Sequence, residues 1–172
     1  MATVTIRPDG YESGTGFDQT GTNLVGRIND GDTGTFVVQT NGTANFVVTM
    51  GNSSAYVGGT INSIQLSLTA GSSGKGAGPV VACKILDVDN TTLVTDSLTF
   101  SSTTTLTGTT YSTSLTPTIV DGLKVKIDPD STGCAISEVF ITVDYTAAAA
   151  VTTPFVGLKS GKYKIVSGKI KI

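Results

Sequence analysis

The chain has 172 residues, of which 38% are hydrophobic and 14% charged, and it has 21 glycines but no tryptophan or histidine. Low charge with ample Val, Ile and Phe excludes a disordered chain, and the lack of histidine excludes Ser-His-Asp and Cys-His catalysis and histidine-ligated metals. The length suits one domain with its own core, and no apolar run approaches the roughly 20 residues of a membrane span, so no membrane partner is expected.

Alternation of apolar and polar residues with a period of two dominates residues 1–146 and predicts antiparallel β-strands. The sequence opens on such a strand and not on a charged-then-apolar leader, so we expect synthesis in a cytoplasm. Turns rich in Asp, Asn and Gly separate the runs. About eight to ten strands at this spacing are typical of a sandwich or barrel. The clearest apolar faces are those that begin at Val4, Ile64, Val81, Leu123 and Val139.

Two further runs, 35–39 and 45–49, flank Asn41-Gly42, and this arrangement predicts a β-hairpin. No segment carries the i, i+3, i+4 apolar spacing of a sizeable helix. The alanines at 147–150 are too few to nucleate a helix on their own.

Cys83 and Cys134 each lie in or beside an apolar strand pattern. A cysteine of this kind packs as a small hydrophobic residue, so we predict two buried free thiols. A disulfide between neighbouring strands is the alternative. Metal binding by these cysteines is disfavoured because the chain has no CxxC motif and no histidine.

Carboxylate pairs are the remaining candidates for chemistry, and they lie two residues apart in turns at 30/32, 87/89 and 128/130. The paired acids of glycosidases usually come from separate strands that face a cleft lined with aromatic side chains. Aromatic residues are only 6% of this chain. We therefore predict a protein that is not an enzyme, has no cofactor and uses these acids in solvated turns. A Ca²⁺ site at 87–91 or 128–131 is the alternative.

The composition changes after Thr146. Residues 147–154 are predicted to form a linker, and residues 155–172 contain no acid at all. All thirteen acids lie in residues 1–146 with six basic residues, which leaves this body with a formal charge of −7. The C-terminal arm, residues 155–172, carries five lysines and a charge of +5.

The arm contains a repeat, in which Ser160-Gly161-Lys162-Tyr163-Lys164-Ile165 recurs as Ser167-Gly168-Lys169-Ile170-Lys171-Ile172. Lysines alternate with apolar residues, a pattern typical of a short strand that lies on a surface or joins a sheet edge. Folding back onto the chain's own acidic body is the alternative, and nucleic acid is disfavoured as a partner. The predicted partner-binding residues are Phe155, Lys159, Lys162, Tyr163, Lys164, Ile165, Lys169, Ile170, Lys171 and Ile172.

The strand pattern as a whole resembles that of a known class of structural proteins. It consists of the opening Thr3-Val4-Thr5-Ile6-Arg7-Pro8-Asp9-Gly10, the segment 30–37, a long strand near 61–69 and the closing segment 139–145. In these features residues 1–146 resemble the jelly-roll β-sandwich proteins among the structural proteins of tailed bacteriophages. The resemblance implies an all-β fold: a single jelly-roll-like antiparallel β-sandwich with an extended C-terminal arm.

By the same resemblance, the chain is expected to be a virion component that assembles in the host cytoplasm. Capsid decoration (cement) proteins use terminal extensions to clasp neighbouring subunits, so the expected partners are the major capsid protein, neighbouring copies of this chain in a homo-oligomer, or both. A phage tail, neck or fibre component is an alternative. A carbohydrate-binding attachment module is another, because such modules share the strand pattern; its candidate sugar-stacking residues are Tyr11, Tyr56 and Tyr111.

Overall fold

The computed structural model describes residues 1–72, 78–130 and 132–149, and two short strands at the C-terminus. Two α-helices, α1 (Gly21–Ile28) and α2 (Pro117–Asp121), and a 3-10 turn at Ser54–Tyr56 accompany the strands. The strands are β1 (Ala2–Ile6), β2 (Pro8–Thr15), β3 (Val37–Val38), β4 (Asn45–Met50), β5 (Thr60–Ser72), β6 (Val80–Leu86), β7 (Thr92–Thr99), β8 (Thr104–Tyr111), β9 (Lys124–Pro129), β10 (Cys134–Thr146), β11 (Lys164–Val166) and β12 (Lys169–Lys171).

Ten of these strands form two five-stranded sheets that pack face to face. Sheet A has the order β1-β10-β5-β8, and β3 pairs with the other end of β10. Sheet B has the order β2-β4-β9-β6-β7. Every pairing in both sheets is antiparallel. The predicted fold class is therefore confirmed: the body is a jelly-roll-like antiparallel β-sandwich.

The core is one continuous hydrophobic cluster between the two sheets. Side chains on a strand alternate between its two faces, so a period of two in the sequence buries one face and leaves the other outside. The strand faces predicted from the sequence are confirmed. Their apolar side chains are at most 1% exposed at Ile64, Leu66, Leu68, Val81, Cys83, Ile85, Leu123, Val125, Ile127, Val139, Ile141 and Val143.

The hairpin predicted around Asn41-Gly42 is wrong. β3 pairs with β10 in sheet A, whereas β4 pairs with β2 and β9 in sheet B. Asn41 does build a turn, in which its side-chain oxygen accepts the backbone N–H of Thr43 at 3.1 Å. That turn connects a strand of sheet A to a strand of sheet B. The prediction failed because a local turn signal does not determine which strands pair.

Helix α1 was not predicted from the sequence. It buries Leu24, Val25 and Ile28 and packs mainly against β2. The helix has only eight residues, among them two glycines, an Asn and a Thr, which all have low helix propensity. Tertiary packing of its apolar side therefore stabilises it, and this packing is invisible in a propensity-based analysis.

Strands β11 and β12 pair with each other in an antiparallel two-stranded sheet. The register places Lys164 opposite Lys171 and Val166 opposite Lys169. For these residues the arm is a hairpin and not a single extended strand. Residues 150–163, 167–168 and 172 lie outside the described residues.

Candidate functional site

The C-terminal hairpin contains half of the residues predicted to bind a partner. The register of β11 and β12 pairs Lys164 with Lys171 and Ile165 with Ile170, and it brings Lys169 opposite Val166. Neither strand pairs with a described strand of sheet A or sheet B. The other predicted residues lie outside the described part of the chain: Phe155, Lys159, Lys162, Tyr163 and Ile172.

The acids of the body are largely left without cationic partners. Of the thirteen, only two form ion pairs within the described residues. Glu138 pairs with Arg7, and Glu12 pairs with Lys124 at 3.0 Å. The structure therefore shows little internal compensation for the body's charge of −7. A surface with this excess of acid attracts cationic partners over a distance of several ångströms.

Three of the paired turn acids are used to build their own turns. Asp30 accepts the backbone N–H of Asp32 at 2.8 Å, and Asp32 accepts that of Gly34 at 2.8 Å. Asp87 accepts the backbone N–H groups of Asp89 and Thr91 at 3.0 and 2.8 Å. These bonds are the ordinary reason for Asp in turns.

Among these paired turn acids, Asp30 has a pKa that is shifted by its hydrogen bonds. Hydrogen bonds from the Thr35 hydroxyl and from the backbone N–H of Asp32 lower the pKa of Asp30 below its ordinary value, and the charge of Arg7 contributes in the same direction. In the described residues no group of three or more Cys, Asp or Glu side chains is placed to hold a metal ion.

A polar cluster lies on the outer face of sheet A, where Arg7 forms an ion pair with Glu138. The Arg7 guanidinium also lies over the ring of Phe140, 5.4 Å from its centroid. Glu138 is only 4% exposed, and its second carboxylate oxygen has no hydrogen-bond partner among the described residues. A buried carboxylate of this kind depends on its one cationic partner.

Beside this cluster, hydroxyl groups pair across β5 and β8. Thr69 and Thr105 hydrogen-bond through their hydroxyls at 2.7 Å, and Ser67 and Thr107 do so at 3.4 Å. Gln65 extends the row by donating to the carbonyl of Gly108 at 2.9 Å. Cross-strand pairs of this type stabilise a sheet without apolar contacts. The outer face is therefore polar and internally satisfied along β5 and β8.

A small depression of about 130 Å³ opens at one end of the same face. Phe36 forms one wall and is 41% exposed, the most exposed aromatic side chain among the described residues. Among the described residues, no charged side chain lines the depression. Its lining residues are Thr33, Phe36, Ser72, Thr103, Ala135 and Ser137.

The tyrosines proposed as sugar-stacking residues do not form an exposed platform. Tyr56 is fully buried, and its hydroxyl donates to Asp121 at 2.7 Å. Burial first, and then this hydrogen bond, raise the pKa of Tyr56 to about 12. Tyr11 and Tyr111 are half-buried and pack against the core. Tyr56 is therefore excluded as a candidate sugar-stacking residue, since a buried ring has no free face.

The two cysteines are buried, as predicted, and no disulfide joins them. Burial raises the pKa of the Cys83 thiol to about 12, and the nearby charges of Asp96 and Cys134 act in the same direction. Burial also raises the pKa of Cys134 to about 12, with a further contribution from Asp130. Both thiols are thus protonated at neutral pH and are not nucleophiles.

The outer face of sheet B carries three of the body's basic residues. Lys84 on β6 lies directly opposite Lys126 on β9, and neither forms an ion pair with a described residue. Lys124 donates to Glu12 and to Asn90, both at 3.0 Å. Like charges directly opposite each other weaken a pair of strands, so packing elsewhere holds β6 and β9 together.

Comparison with known proteins adds little beyond the fold. No family model and no curated protein matches the chain. Among solved structures, the chain is similar to the CBM22-1 and GH10 modules of the Clostridium thermocellum endo-1,4-β-D-xylanase 10B, solved in complex with xylohexaose. The identity is 19% and the TM-score 0.34 over 64% of this chain, which spans 23% of the xylanase chain.

Neither of the helices in the described residues has the length and apolar character of a membrane-spanning helix.

Proposed function

We propose that this chain is a structural protein of a phage particle, a capsid decoration protein that stabilises the head by bridging capsid subunits through its C-terminal arm. The observation that carries the proposal is the arm's hairpin, which pairs within itself and joins neither sheet of the sandwich in the described residues. A strand pair of three residues each is too small to be stable alone in water. It therefore needs a partner surface.

The charges of the two parts support the same role. The body holds eleven acids without an ion pair in its described part, and the arm holds five lysines without an acid. Charge complementarity of this kind raises the encounter rate and selects the register of an interface. Apolar residues of the arm would supply much of the affinity once they are buried against the partner.

The experiment uses particles purified from the source of the sequence. We expect mass spectrometry to find the chain in many copies per head, and washing at high salt to release it. Stripped heads should break at a lower temperature, and added full-length chain should restore their resistance. A variant with Lys164, Lys169 and Lys171 changed to Glu should fail to restore it. Absence of the chain from particles, or full rescue by the arm variant, would refute the proposal.

A tail, neck or fibre protein would share this architecture, so the position in the particle has to be measured. Immunogold labelling of intact particles distinguishes the two structural roles. Label over the whole head supports decoration, whereas label at the tail, neck or fibres assigns the chain there.

Sugar binding is a second candidate, and one observation favours it. The depression is lined by one exposed aromatic residue, Phe36, and by the hydroxyl-bearing residues Thr33, Thr103 and Ser137, a combination suited to one sugar ring. A glycan array with the full-length chain tests it, with Phe36→Ala as the variant and Val88→Ala, which removes another exposed apolar side chain, as the control. If the wild type binds a glycan and only Phe36→Ala abolishes this binding, the result supports an attachment module and not a decoration protein.

A further inference from the structure

Three of the four sheet edges in this sandwich are protected against pairing with a further strand. An open edge is a template for strand addition, and proteins usually block it with charges, prolines or bulges. Edge strand β2 begins with Pro8, carries Asp9 and Glu12, and has two register irregularities against β4. These features disrupt a regular ladder.

The edges β7 and β8 protect each other across one side of the sandwich. Asp96 of β7 accepts the backbone N–H of Thr109 on β8 at 2.9 Å and its hydroxyl at 2.6 Å. The pairing of β8 with β5 also shifts register at this point, between Gln65 and Ser67. A strand approaching β8 would therefore find one of its donors already used and its edge irregular.

Strand β1 has none of these protections. Its sequence, Ala-Thr-Val-Thr-Ile, has no charge, proline or glycine, and four of its five residues are β-branched residues typical of strands. It pairs with β10 from Ala2 to Ile6 without a register shift. No described strand pairs with its other side. β1 is therefore a straight, neutral and open edge.

We infer that this edge accepts a strand of the C-terminal arm from a second copy of the chain. The inference rests on the proposed role of the arm as a clasp and adds where one of its docking surfaces lies. Strand addition satisfies the open backbone groups of β1 and gives the strand pair of the arm, which is too small to be stable alone, a further partner strand. In the described residues of one chain, β11 and β12 pair with each other and no strand pairs with the open side of β1, and we therefore assign the occupant to a neighbouring copy.

The distances allow such an exchange. Ala2 lies opposite Tyr145, so the arm leaves the body at Thr146 beside the start of β1. Seventeen residues, 147–163, precede β11 and span up to about 56 Å when extended. A body of this size is on the order of 40 Å across. The arm can therefore reach the same edge of an adjacent copy, and two copies can exchange arms reciprocally.

The test measures self-association of the full-length chain in solution. One variant carries Thr3→Lys and Thr5→Lys, two exposed positions of β1. The matched control carries Ser97→Lys and Thr99→Lys, two exposed positions of β7 with the same change in charge. We expect light scattering to give the mass of a dimer or larger assembly for the wild type and control. We expect a folded monomer for the β1 variant, with at least a tenfold weaker association.

Hydrogen exchange shows whether the contact is a strand addition. As the protein concentration rises, amides in residues 2–6 and 164–171 should exchange more slowly, whereas those in 104–111 should not change. A contact through side chains alone would leave the β1 amides unprotected and would overturn the inference. A wild type that is monomeric at all concentrations, or a β1 variant that assembles like the control, would overturn it as well.

The inference and the proposed function can fail separately. If the wild type is monomeric but still binds stripped heads through its lysines, the edge inference is refuted and the decoration role stands. If the chain assembles through β1 but does not bind the particles, the decoration role is refuted and the edge inference stands. A further variant, Ile165→Asp with Ile170→Asp, identifies the arm as the donor: it should be monomeric like the β1 variant, and assembly of this variant would contradict the inference.

Discussion

At the residue scale, the ion pair of Arg7 and Glu138 is the polar contact whose loss we expect to lower stability most. Glu138 is buried on an outer face, and one of its oxygens has no partner in the described residues. Removing the arginine would leave a buried charge without compensation, and such a change is far more costly than the loss of an exposed pair.

We expect Arg7→Ala to lower the free energy of unfolding by about 1–3 kcal/mol, because the partly exposed guanidinium is lost while the carboxylate stays buried. Lys124→Ala is the control, since its partner Glu12 is exposed, and it should cost less than about 1 kcal/mol. Urea denaturation of both variants measures the difference. Equal losses would show that Glu138 escapes to solvent when Arg7 is absent.

Three buried groups also predict instability in alkali. The pKa values of Cys83, Cys134 and Tyr56 are raised to about 12 in the folded chain from ordinary values of 9.0 for the thiols and 10.0 for the phenol. The unfolded chain therefore releases protons first as the pH rises, and stability falls. Each group contributes a slope on the order of 1.4 kcal/mol per pH unit between its two pKa values.

The expected outcome is a melting temperature that is steady at neutral pH and falls as the pH rises from about 9 toward 12. Changing both cysteines to alanine should flatten the part of this fall that begins near pH 9. Calorimetry at several pH values compares the variant with the wild type. An unchanged pH profile in the double variant would show that the thiols do not contribute.

At the element scale, the contact between β7 and β8 depends on a glycine. A Cβ atom added at Gly108 would collide with the Asp96 carboxylate, the group that holds the N–H of Thr109. Gly108→Ala should therefore displace Asp96, break its hydrogen bonds to Thr109 and cost about 0.5–1.5 kcal/mol of unfolding free energy. Gly42→Ala is the control, because a Cβ there meets nothing within 4 Å. Chemical denaturation distinguishes them, and equal stability would contradict the proposed contact.

Prediction from sequence succeeded for elements with strong period-two patterns. Strands β5, β6, β9 and β10 were recognised because each alternates apolar and polar residues and buries one face. Strand β8 has Thr or Gly at most of its positions and shows little contrast between faces, so the sequence did not place it. The pairing of β3 and the helix α1 depend on distant contacts, which a local pattern does not contain.

Of the candidate sites, only the one with a local sequence signal was predicted, and the one that depends on contacts between distant residues was not. The arm was identified by composition alone, since lysines without acids stand out in any sequence. The cluster of Arg7, Glu138 and Phe140 joins positions more than 130 residues apart, and only the register of β1 and β10 brings them together. One signal was present in the sequence: Glu138 lies on the same, outward side of its strand as Phe140, next to the apolar face that begins at Val139.

At the scale of the whole molecule, the separation of charge makes any arm-dependent assembly sensitive to salt. The body and the arm carry formal charges of −7 and +5, and the Debye length falls from about 10 Å at 0.1 M salt to about 3 Å at 1 M. We expect association through the arm to weaken at least tenfold between 0.05 and 0.5 M salt, mainly through a slower association rate. Light scattering across this range measures it, and salt-independent association would show that apolar contacts dominate.

The position of the arm's root has a mechanical consequence. The arm continues from Thr146, the last residue of β10, and β10 is bonded along its length to β5 on one side and to β1 and β3 on the other. A pull on the arm along the strand loads these bonds together, in shear, and does not open them one at a time. If the arm is the clasp that we propose, tension on it would therefore be shared by the bonds of β10 to both of its neighbouring sides at the same time.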